Sequence, residues 1–427
     1  MDSDGPLLEL SQYQSVAFLF LANVVIFAAI YAPNNLRPGL LIPTWSFFGI
    51  SFMTLHRLPL GRELLSNLGI YLTIASLLWP IGLFTAEPLM IQVVTTTSVV
   101  DDKSPPPMRY RYYFWKWNWN LRQAYRIYNN PRKLPDRFPP SSPPTTRALF
   151  WFAARRLAQT AGLLLLHTAV TLFCATIGGL GDVQADDFSP AHEPLLSSFF
   201  HCWQQGSRRH LRIRASVLLY WVTHLVIPLQ AVHFLLSIVF VSLLRVDAPD
   251  EWPPLFSSPL QAYSLKRYWG VFWHRLFSPG AVIWARFVAR KGLGLPPGGV
   301  LEKALVPFIV FSVSGVAHAA VGWRLGYVGL DRDIKFFLWN FAGIFGEVAL
   351  LRGVRAVLGG RKITSIRQGY GGILLTIVTR IVGYFWVVVF LLWAMPPYLY
   401  PKLYDSLLQK EVVEQRVPAI DAGGGWE

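Results

Sequence analysis

The amino-acid sequence predicts an all-α, polytopic integral membrane protein with about eight transmembrane helices plus interfacial helices. Hydrophobic residues occupy 53% of the 427 positions and charged residues only 15%, which is more apolar surface than the core of a soluble protein needs. The apolar residues are gathered into long stretches, and the basic residues lie between them, as they do in the cytosolic loops of membrane proteins.

About eight of these stretches have the length that a membrane-spanning helix requires. In chain order, the candidate spans are residues 14–32, 38–55, 68–86, 158–178, 215–244, 304–323, 334–352 and 372–395. The stretch 215–244 is long for one span, and Pro228 within it predicts either a kinked helix or a span joined to an interfacial segment. Residues 268–289 are a further candidate for a helix that enters only half of the membrane.

Loop composition divides the chain into four regions. These are the N-terminal transmembrane helices at 1–100, a basic and aromatic cytosolic loop at 101–156, a transmembrane core at 157–400 and a C-terminal tail at 401–427. The first residues lack the positive segment of a cleaved signal peptide, so the first span is expected to stay as an anchor. The two cysteines give neither a disulfide framework nor zinc-ligand spacing, and we expect no metal site.

The net charge of +15 is interpreted as a topological signal and not as a nucleic-acid-binding surface. Its densest part lies in the 101–156 loop, which places that loop in the cytosol. The second basic loop, 245–300, is expected on the same side, and the acidic loop 180–200 on the lumenal side. The basic run RRHLRIR at 208–214 is a rival signal for the orientation.

The cytosolic loop contains WNWNLR at 117–122, in which aromatic and polar residues alternate. Such a mixture is typical of a helix that anchors a loop at the level of the lipid headgroups. It also suits a nucleotide-bearing cosubstrate, because arginine pairs with phosphates and aromatic rings stack on a base. Both roles are compatible, and the candidate cosubstrate-binding residues are Trp117, Asn118, Trp119 and Arg122.

The second basic loop contains EWPPLF at 251–256 and SLKRYWGVFWHRLFSPG at 264–280. Helical spacing would place Trp269, Phe272 and Trp273 on one face of a helix, with His274 beside it. This face is either the aromatic belt of an interfacial or re-entrant helix, or the wall of a site.

His318 lies inside the apolar run FIVFSVSGVAHAAVGW at 308–323. An ionisable side chain is costly there unless it has a function. Ser314 precedes it by one helical turn, and small neighbouring residues leave room for a ligand or another helix. The alternative is a histidine that packs between helices and bonds to a backbone carbonyl.

The order of these motifs resembles the membrane-bound O-acyltransferase superfamily, in its wax synthase-like branch, which includes fungal enzymes that acetylate terpenoid and meroterpenoid alcohols. The resembling motifs are WNWNLR, WPPLF, the SLxxYWxxxWH pattern that ends at His274 and the SGxxH pattern that ends at His318. The resemblance runs from about residue 110 to 325. The family pattern has asparagine or histidine at the position of His274.

The resemblance implies an enzyme, an acyl-CoA-dependent O-acyltransferase that uses acetyl-CoA as cosubstrate and no bound cofactor. In this interpretation His318 is the general base that takes the proton of an alcohol. His274 is either the catalytic donor to the oxyanion or an orienting group. The implied substrate-binding residues are Trp269, Trp273, Ser314 and Arg267.

The resemblance also implies a terpenoid or meroterpenoid alcohol of secondary metabolism as acceptor. The expected partners are this hydrophobic alcohol, acyl-CoA and the lipid bilayer, without nucleic acid, and the expected location is the endoplasmic reticulum membrane. A wax synthase that joins a long-chain acyl-CoA to a fatty alcohol is an alternative.

Two other classes of membrane protein are alternatives to an acyltransferase. A transporter could use polar residues within the spans, namely His167, His224, His233, Glu347 and Arg380, but the sequence has no recognisable inverted halves. A prenyltransferase or terpene cyclase needs paired aspartate-rich motifs that bind diphosphate through Mg²⁺. The run DAPDE at 247–251 has no matching second motif.

Overall fold

The computed structural model describes residues 13–31, 36–59, 69, 145–194, 205–274, 276, 278–358 and 370–421. All regular secondary structure in these residues is helical, which confirms the predicted all-α class. The α-helices are α1 (Gln14–Tyr31), α2 (Leu41–Thr54), α3 (Thr146–Thr176), α4 (Gln205–Ser237), α5 (Leu265–Arg267), α6 (Ser278–Phe287), α7 (Val300–Arg324), α8 (Leu330–Leu358), α9 (Tyr370–Ala394) and α10 (Pro396–Asp421).

Six helical stretches in the described part of the chain are long and apolar enough to cross a membrane, which confirms a polytopic membrane protein. They are Pro38–Arg57, Thr146–Thr176, Arg208–Leu243, Val300–Arg324, Leu330–Val354 and Leu374–Ala394. The predicted span 68–86 lies outside the described residues, except for Gly69. Pro228 lies inside α4, and α4 continues as a π-helix over Ile238–Leu243. The predicted span 215–244 therefore lies in one continuous helical stretch, Arg208–Leu243.

In two places the chain is helical beyond the predicted apolar stretches. The side chain of Thr145 caps α3 by accepting a hydrogen bond from the N–H of Ala148 at 3.2 Å, so the end of the 101–156 loop is helical. Helix α10 covers much of the predicted tail. Helix ends are set by caps, whereas hydropathy marks only the apolar part of a helix. The four-region division of the chain stays a prediction.

The chain divides into two compact units, residues 1–134 with 276–330 and residues 135–275 with 331–427. In the first unit, α1 packs along α2. The hydroxyl of Ser15 donates to the carbonyl of Ser51 at 2.8 Å, and the hydroxyl of Ser51 donates to the carbonyl of Ser15 at 2.7 Å. Small hydroxyl residues allow the backbones of two membrane helices to approach closely in this way.

Helix α7 makes apolar contacts along its length within the first unit. Ala317 packs against Ala281 of α6. Toward the C-terminal end of α7, Val321 joins Ile26 and Leu55 in a buried cluster formed with α1 and α2. These contacts fix the helix that carries the SGxxH motif.

A buried ion pair lies at the first turn of α7. The carboxylate of Glu302 accepts a hydrogen bond from Arg290 at 2.6 Å and another from the backbone N–H of Gly298. A carboxylate that is only 4% exposed requires such partners, because an unpaired buried charge is strongly destabilising. The pair fixes the start of α7 to the chain segment that precedes it.

In the second unit, α3 packs along α4, and a buried arginine of α4 joins other segments to this pair. Arg214 is 2% exposed. Its guanidinium donates to the carbonyls of His192 at 2.5 Å, Glu193 at 3.0 Å and Leu392 at 3.2 Å. The buried charge is stabilised by carbonyl dipoles, and it connects the loop after α3 with the end of α9.

The basic run 208–214 has partners inside this unit. Besides the contacts of Arg214, the guanidinium of Arg209 donates to the carboxylate of Asp187 at 2.6 Å. Basic residues are enriched in cytosolic loops, but arginines that are paired within the fold need not lie on the cytosolic side. The contacts explain how this run can lie beside the acidic loop.

We expect Arg214→Met to destabilise the protein by at least about 2 kcal/mol, because several carbonyl oxygens lose their donor. Thermal unfolding of the purified protein in detergent would measure the change. The matched control is Arg212→Met, at an exposed position on the same helix, which should change stability little. Equal unfolding temperatures of the two variants would contradict the assignment.

Candidate active site

The WPPLF motif at 252–256 is an irregular stretch of backbone that contacts side chains of two membrane-spanning helices. Arg156 of α3 donates a hydrogen bond to the carbonyl of Trp252 at 2.6 Å. Nε2 of His233 in α4 lies 3.0 Å from the carbonyl of Pro253, and because a carbonyl only accepts, this nitrogen carries the proton. Two carbonyls outside any helix therefore receive donors from α3 and α4.

The N–H groups at the end of the motif bond to one amide side chain. The N–H groups of Leu255 and Phe256 both donate to Oε1 of Gln230, at 2.9 and 3.2 Å. The next N–H, of Ser257, donates to the carbonyl of Phe272 at 3.1 Å. Gln230 was not among the predicted site residues, although an amide inside a predicted span is a signal for a buried hydrogen-bonding role.

Arg156 also packs against aromatic rings. Its guanidinium lies 5.0 Å from the ring centre of Phe152 and 4.5 Å from that of Phe234, and the residue is 9% exposed. Aromatic faces and a carbonyl stabilise the charge within a membrane-spanning helix. A hydropathy scale scores an arginine within a span as unfavourable, so hydropathy did not reveal the structural role of Arg156.

The motif places Phe256 in a group of rings around Trp273, which we call the aromatic cluster. The ring centres of its other members lie 5.2 to 5.7 Å from that of Trp273, and these members are Trp221, Phe256, Tyr268 and Trp269. Rings at such distances have favourable stacked and edge-to-face contacts. The predicted pocket residues Trp269 and Trp273 are thus in mutual contact.

A buried asparagine fixes the orientation of Trp269. The indole N–H donates to Oδ1 of Asn340 at 2.8 Å, and Nδ2 of Asn340 donates to the carbonyl of Phe336 at 2.8 Å. Asn340 has no exposed surface. It was missed because a single asparagine in an apolar span does not reveal its partner.

Helix α5 is held close to α8. The N–H of Leu265 donates to the carboxylate of Glu347 at 2.8 Å. At Gly343 of α8, a side-chain carbon would lie 2.9 Å from Leu265 and 2.7 Å from Phe390, so glycine permits the close approach. The carboxylate and the glycine together set the position of the aromatic cluster.

Two predictions for this segment were wrong: Trp269, Phe272 and Trp273 do not share one face of a helix, and residues 268–289 do not form one helix. After α5 the backbone forms a π-helical turn that ends at Phe272, and Trp273 is extended, with φ −64° and ψ 151°. The carbonyl of Phe272 accepts the N–H of Ser257, so this carbonyl bonds to the WPPLF loop and not to a following helical turn. Trp273 and His274 consequently lie outside the helix.

His274 lies beside the aromatic cluster and is half-buried. Its ring centre is 5.6 Å from that of Phe256, edge to face, and 5.7 Å from that of Trp273. A hydrogen bond from an imidazole N–H is stronger in such apolar surroundings than in water. The geometry suits a donor, and the role itself stays a prediction.

Arg267 contacts its own loop. Its Nε donates to the carbonyl of Gln261 at 3.0 Å, and its Nη2 bonds to the side chain of the same residue. The guanidinium also lies 4.6 Å from the ring centre of Tyr263. These contacts give Arg267 a structural role in the turn before α5, and substrate binding by this residue stays a prediction.

His318 lies in α7 and is half-buried. One turn earlier, the hydroxyl of Ser314 donates to the carbonyl of Val310 at 2.9 Å. Because its proton is used there, Ser314 can serve His318 only as an acceptor. An acceptor on one ring nitrogen would leave the other nitrogen free of a proton, as a general base requires.

The predicted cosubstrate-binding residues lie outside the described part of the chain. These residues are Trp117, Asn118, Trp119 and Arg122. Their assignment stays a prediction.

The polar residues considered for a transport path make packing contacts. The rings of His167 in α3 and His224 in α4 have centres 5.4 Å apart, and Arg380 lies 5.3 Å from the centre of a tyrosine ring. His233 and Glu347 bond to the backbone as described above. Packing therefore accounts for these residues without a path.

Comparison with known proteins identifies a related family. Residues 252–339 match the membrane bound O-acyl transferase family. Acetyltransferase spyB of Aspergillus fumigatus is 30% identical over 250 residues, which cover 56% of this chain and 41% of that protein. Acetyltransferase aurG of Calcarisporium arbuscula is 30% identical over 217 residues, 50% of this chain and 48% of that protein.

Further relatives have the same type of name. Acetyltransferase ataH of Aspergillus terreus is 34% identical over 176 residues, 40% of this chain and 52% of that protein. The chain spans about half the length of the curated relatives it matches. No solved structure matches the chain.

The family match contains WPPLF, α5, His274 and His318. The comparisons confirm the resemblance to membrane-bound O-acyltransferases and, among their relatives, to fungal acetyltransferases.

We expect Arg156→Met to lower the free energy of unfolding by about 1–3 kcal/mol, because the carbonyl of Trp252 loses its donor. Thermal unfolding in detergent, followed by tryptophan fluorescence, would measure this. The matched control is Arg155→Met at the preceding, exposed position. A stability loss of the same size in both variants would show that Arg156 does not hold the motif.

Proposed function

We propose that the protein is an acyl-CoA-dependent O-acetyltransferase that moves acetyl from acetyl-CoA to a hydroxyl of a hydrophobic alcohol. The observation that carries this proposal is the family match over 252–339, which falls on the segment that builds the aromatic cluster and includes both candidate histidines. The names of the curated relatives support acetyl as the transferred group.

The reaction needs a base, because an alcohol is a weak nucleophile at neutral pH. In the proposed mechanism, His318 takes the hydroxyl proton while the alcohol oxygen attacks the thioester carbonyl carbon. The carbon–sulfur bond then breaks, and the sulfur of coenzyme A takes the proton from His318. The products are the acetyl ester and free coenzyme A, with no net change in protons.

The attack places negative charge on the carbonyl oxygen, and a hydrogen-bond donor stabilises it. The proposed donor is the ring N–H of His274, whose apolar neighbours support a strong hydrogen bond. Asparagine, which the family pattern also has at this position, offers a donor but no base. This favours a donor role over a proton-accepting role for His274.

The proposed acceptor is a terpenoid or meroterpenoid alcohol of secondary metabolism, dissolved in the bilayer. Apolar aromatic walls suit such a skeleton. The names of the relatives give the transferred group and not the alcohol. We propose that the basic loop with Trp117 and Arg122, which faces the cytosol in the predicted topology, binds acetyl-CoA. The proposed location of the protein is the endoplasmic reticulum membrane.

We expect His318→Ala to abolish transfer, because no other group takes the hydroxyl proton in this mechanism. The measurement uses microsomes with the full-length protein, radiolabelled acetyl-CoA and a panel of terpenoid and long-chain alcohols. Label in an ester only with the intact histidine would support acyl transfer and identify the acceptor class.

The matched control is His167→Ala, which removes another half-buried histidine from a membrane-spanning helix and should leave transfer near the wild-type rate. Normal turnover by His318→Ala would exclude this residue as the base. Absence of transfer from acetyl-CoA and from long-chain acyl-CoA to every alcohol would argue against the proposed function.

At position 274 we expect alanine to reduce kcat at least about 10²-fold, as the loss of one oxyanion donor does. The His274→Asn variant should retain much more activity, because the amide still donates. Steady-state rates with saturating acetyl-CoA would compare the two variants. If asparagine were as damaging as alanine, His274 would be acting as a proton acceptor.

A further inference from the structure

The hydroxyl of Tyr268 is buried without a hydrogen-bond partner among the described residues. The residue is 4% exposed, and its ring packs against Trp269, Phe272 and Trp273 at centre distances of 5.1, 5.4 and 5.6 Å. Burial raises the pKa of Tyr268 above its ordinary value, so the phenol keeps its proton. A buried donor without a partner costs about 1–3 kcal/mol.

A second buried donor without a partner, the side-chain amide of Gln230, lies beside the WPPLF motif. Oε1 of Gln230 accepts the N–H groups of Leu255 and Phe256, which fixes the amide because a reversed amide would place N–H against N–H. Its Nε2 is buried and has no partner within the described part of the chain. The residue is 6% exposed.

Both donors are connected to the aromatic cluster. Tyr268 is stacked on Trp273, and Gln230 bonds to the backbone of Phe256, whose ring lies 5.7 Å from that of Trp273. Both donors are uncharged, and the guanidinium of the neighbouring Arg267 bonds to Gln261. Neutral donors among aromatic rings match neutral oxygen atoms, whereas phosphates are matched by arginine and lysine.

We propose that Tyr268 and Gln230 donate hydrogen bonds to carbonyl oxygens of the acyl-pantetheine arm of the acyl donor. This arm carries one thioester carbonyl and two amide carbonyls, all of which accept hydrogen bonds. The inference rests on the proposed function, and it makes Tyr268 and Gln230 recognition residues for the donor.

These donors would contribute to recognition because a buried donor without a hydrogen-bond acceptor costs free energy. A site built with buried donors rejects a ligand that lacks the matching acceptor. The two donors would then distinguish an acyl thioester from the hydrocarbons of the membrane. Burial keeps the proton on the phenol of Tyr268, and the amide of Gln230 does not titrate, so both groups are permanent donors.

The test measures binding to the purified full-length protein in detergent, so it needs no acceptor alcohol. The ligands are S-acetonyl-coenzyme A, in which a thioether keeps the carbonyl but cannot transfer it, S-propyl-coenzyme A, which lacks that carbonyl, and 3′-phospho-ADP, which lacks the whole arm. Tyr268→Phe should bind S-acetonyl-coenzyme A about five- to tenfold more weakly, as expected for one lost hydrogen bond. Binding of 3′-phospho-ADP should be unchanged.

A comparison of the two thioethers then locates the hydrogen bond. A loss limited to S-acetonyl-coenzyme A would place it on the thioester carbonyl. An equal loss for both thioethers, with 3′-phospho-ADP unaffected, would place it on an amide carbonyl of the arm. Either result supports the proposal.

Two further variants separate binding from stability. Tyr384→Phe is the matched control, because the hydroxyl of Tyr384 already donates to the carbonyl of Leu260 at 2.5 Å, and it should lower the unfolding temperature without changing ligand binding. Tyr268→Phe should not lower the unfolding temperature, since it removes a hydroxyl without a partner. Gln230→Glu keeps an oxygen for Leu255 and Phe256 but removes the amide donors, and it should also weaken binding of S-acetonyl-coenzyme A.

Unchanged binding of all three ligands by Tyr268→Phe would overturn the inference and leave the proposed function intact. The inference would also be overturned if binding of 3′-phospho-ADP weakened equally, or if only the KM of an alcohol rose in the transfer assay. If the wild-type protein binds no coenzyme A derivative, the proposed function fails, and this inference fails with it.

Discussion

The second unit depends on how the backbone of WPPLF is hydrogen-bonded, because polar backbone outside a helix is tolerated in a membrane protein only when partners are supplied. Two prolines reduce the number of N–H groups to be matched, and Arg156, His233 and Gln230 match carbonyls and N–H groups of the motif. The N–H of Ser257, directly after the motif, then donates to the carbonyl of Phe272 at the end of the π-helical turn. Phe256 and Trp273 meet as a result.

The hydrogen bonds that stabilise this part of the fold also position the aromatic cluster. Asn340 and Glu347 use their polar groups to orient Trp269 and α5, so α8 acts as the rigid support for the cluster. Rates of group transfer depend on such fixed geometry, since a misplaced donor loses most of its effect. Tyr268, whose buried hydroxyl has no partner among the described residues, directly follows α5 and contacts Trp269.

The sequence predicted the features that hydropathy and motif order determine. These include the all-α class and the polytopic character. The predicted helix face of Trp269, Phe272 and Trp273 failed, because helical periodicity does not reveal a π-helical turn whose last carbonyl bonds to another segment. The sequence also missed Arg156, Gln230 and Asn340, whose roles arise from partners distant in the chain. Such pairings come from tertiary packing, which a single sequence does not contain.

Trp221 is stacked on Trp273 and Trp269 is tilted against it, with ring centres 5.6 and 5.2 Å away, and these contacts have an optical consequence. Indoles this close share their electronic excitation, so the near-ultraviolet circular dichroism of the protein should carry a coupled signal from these rings. Any molecule that changes the angle between two of them would alter that signal without a label. The protein thus contains its own spectroscopic reporter at the place where the chemistry is proposed to occur.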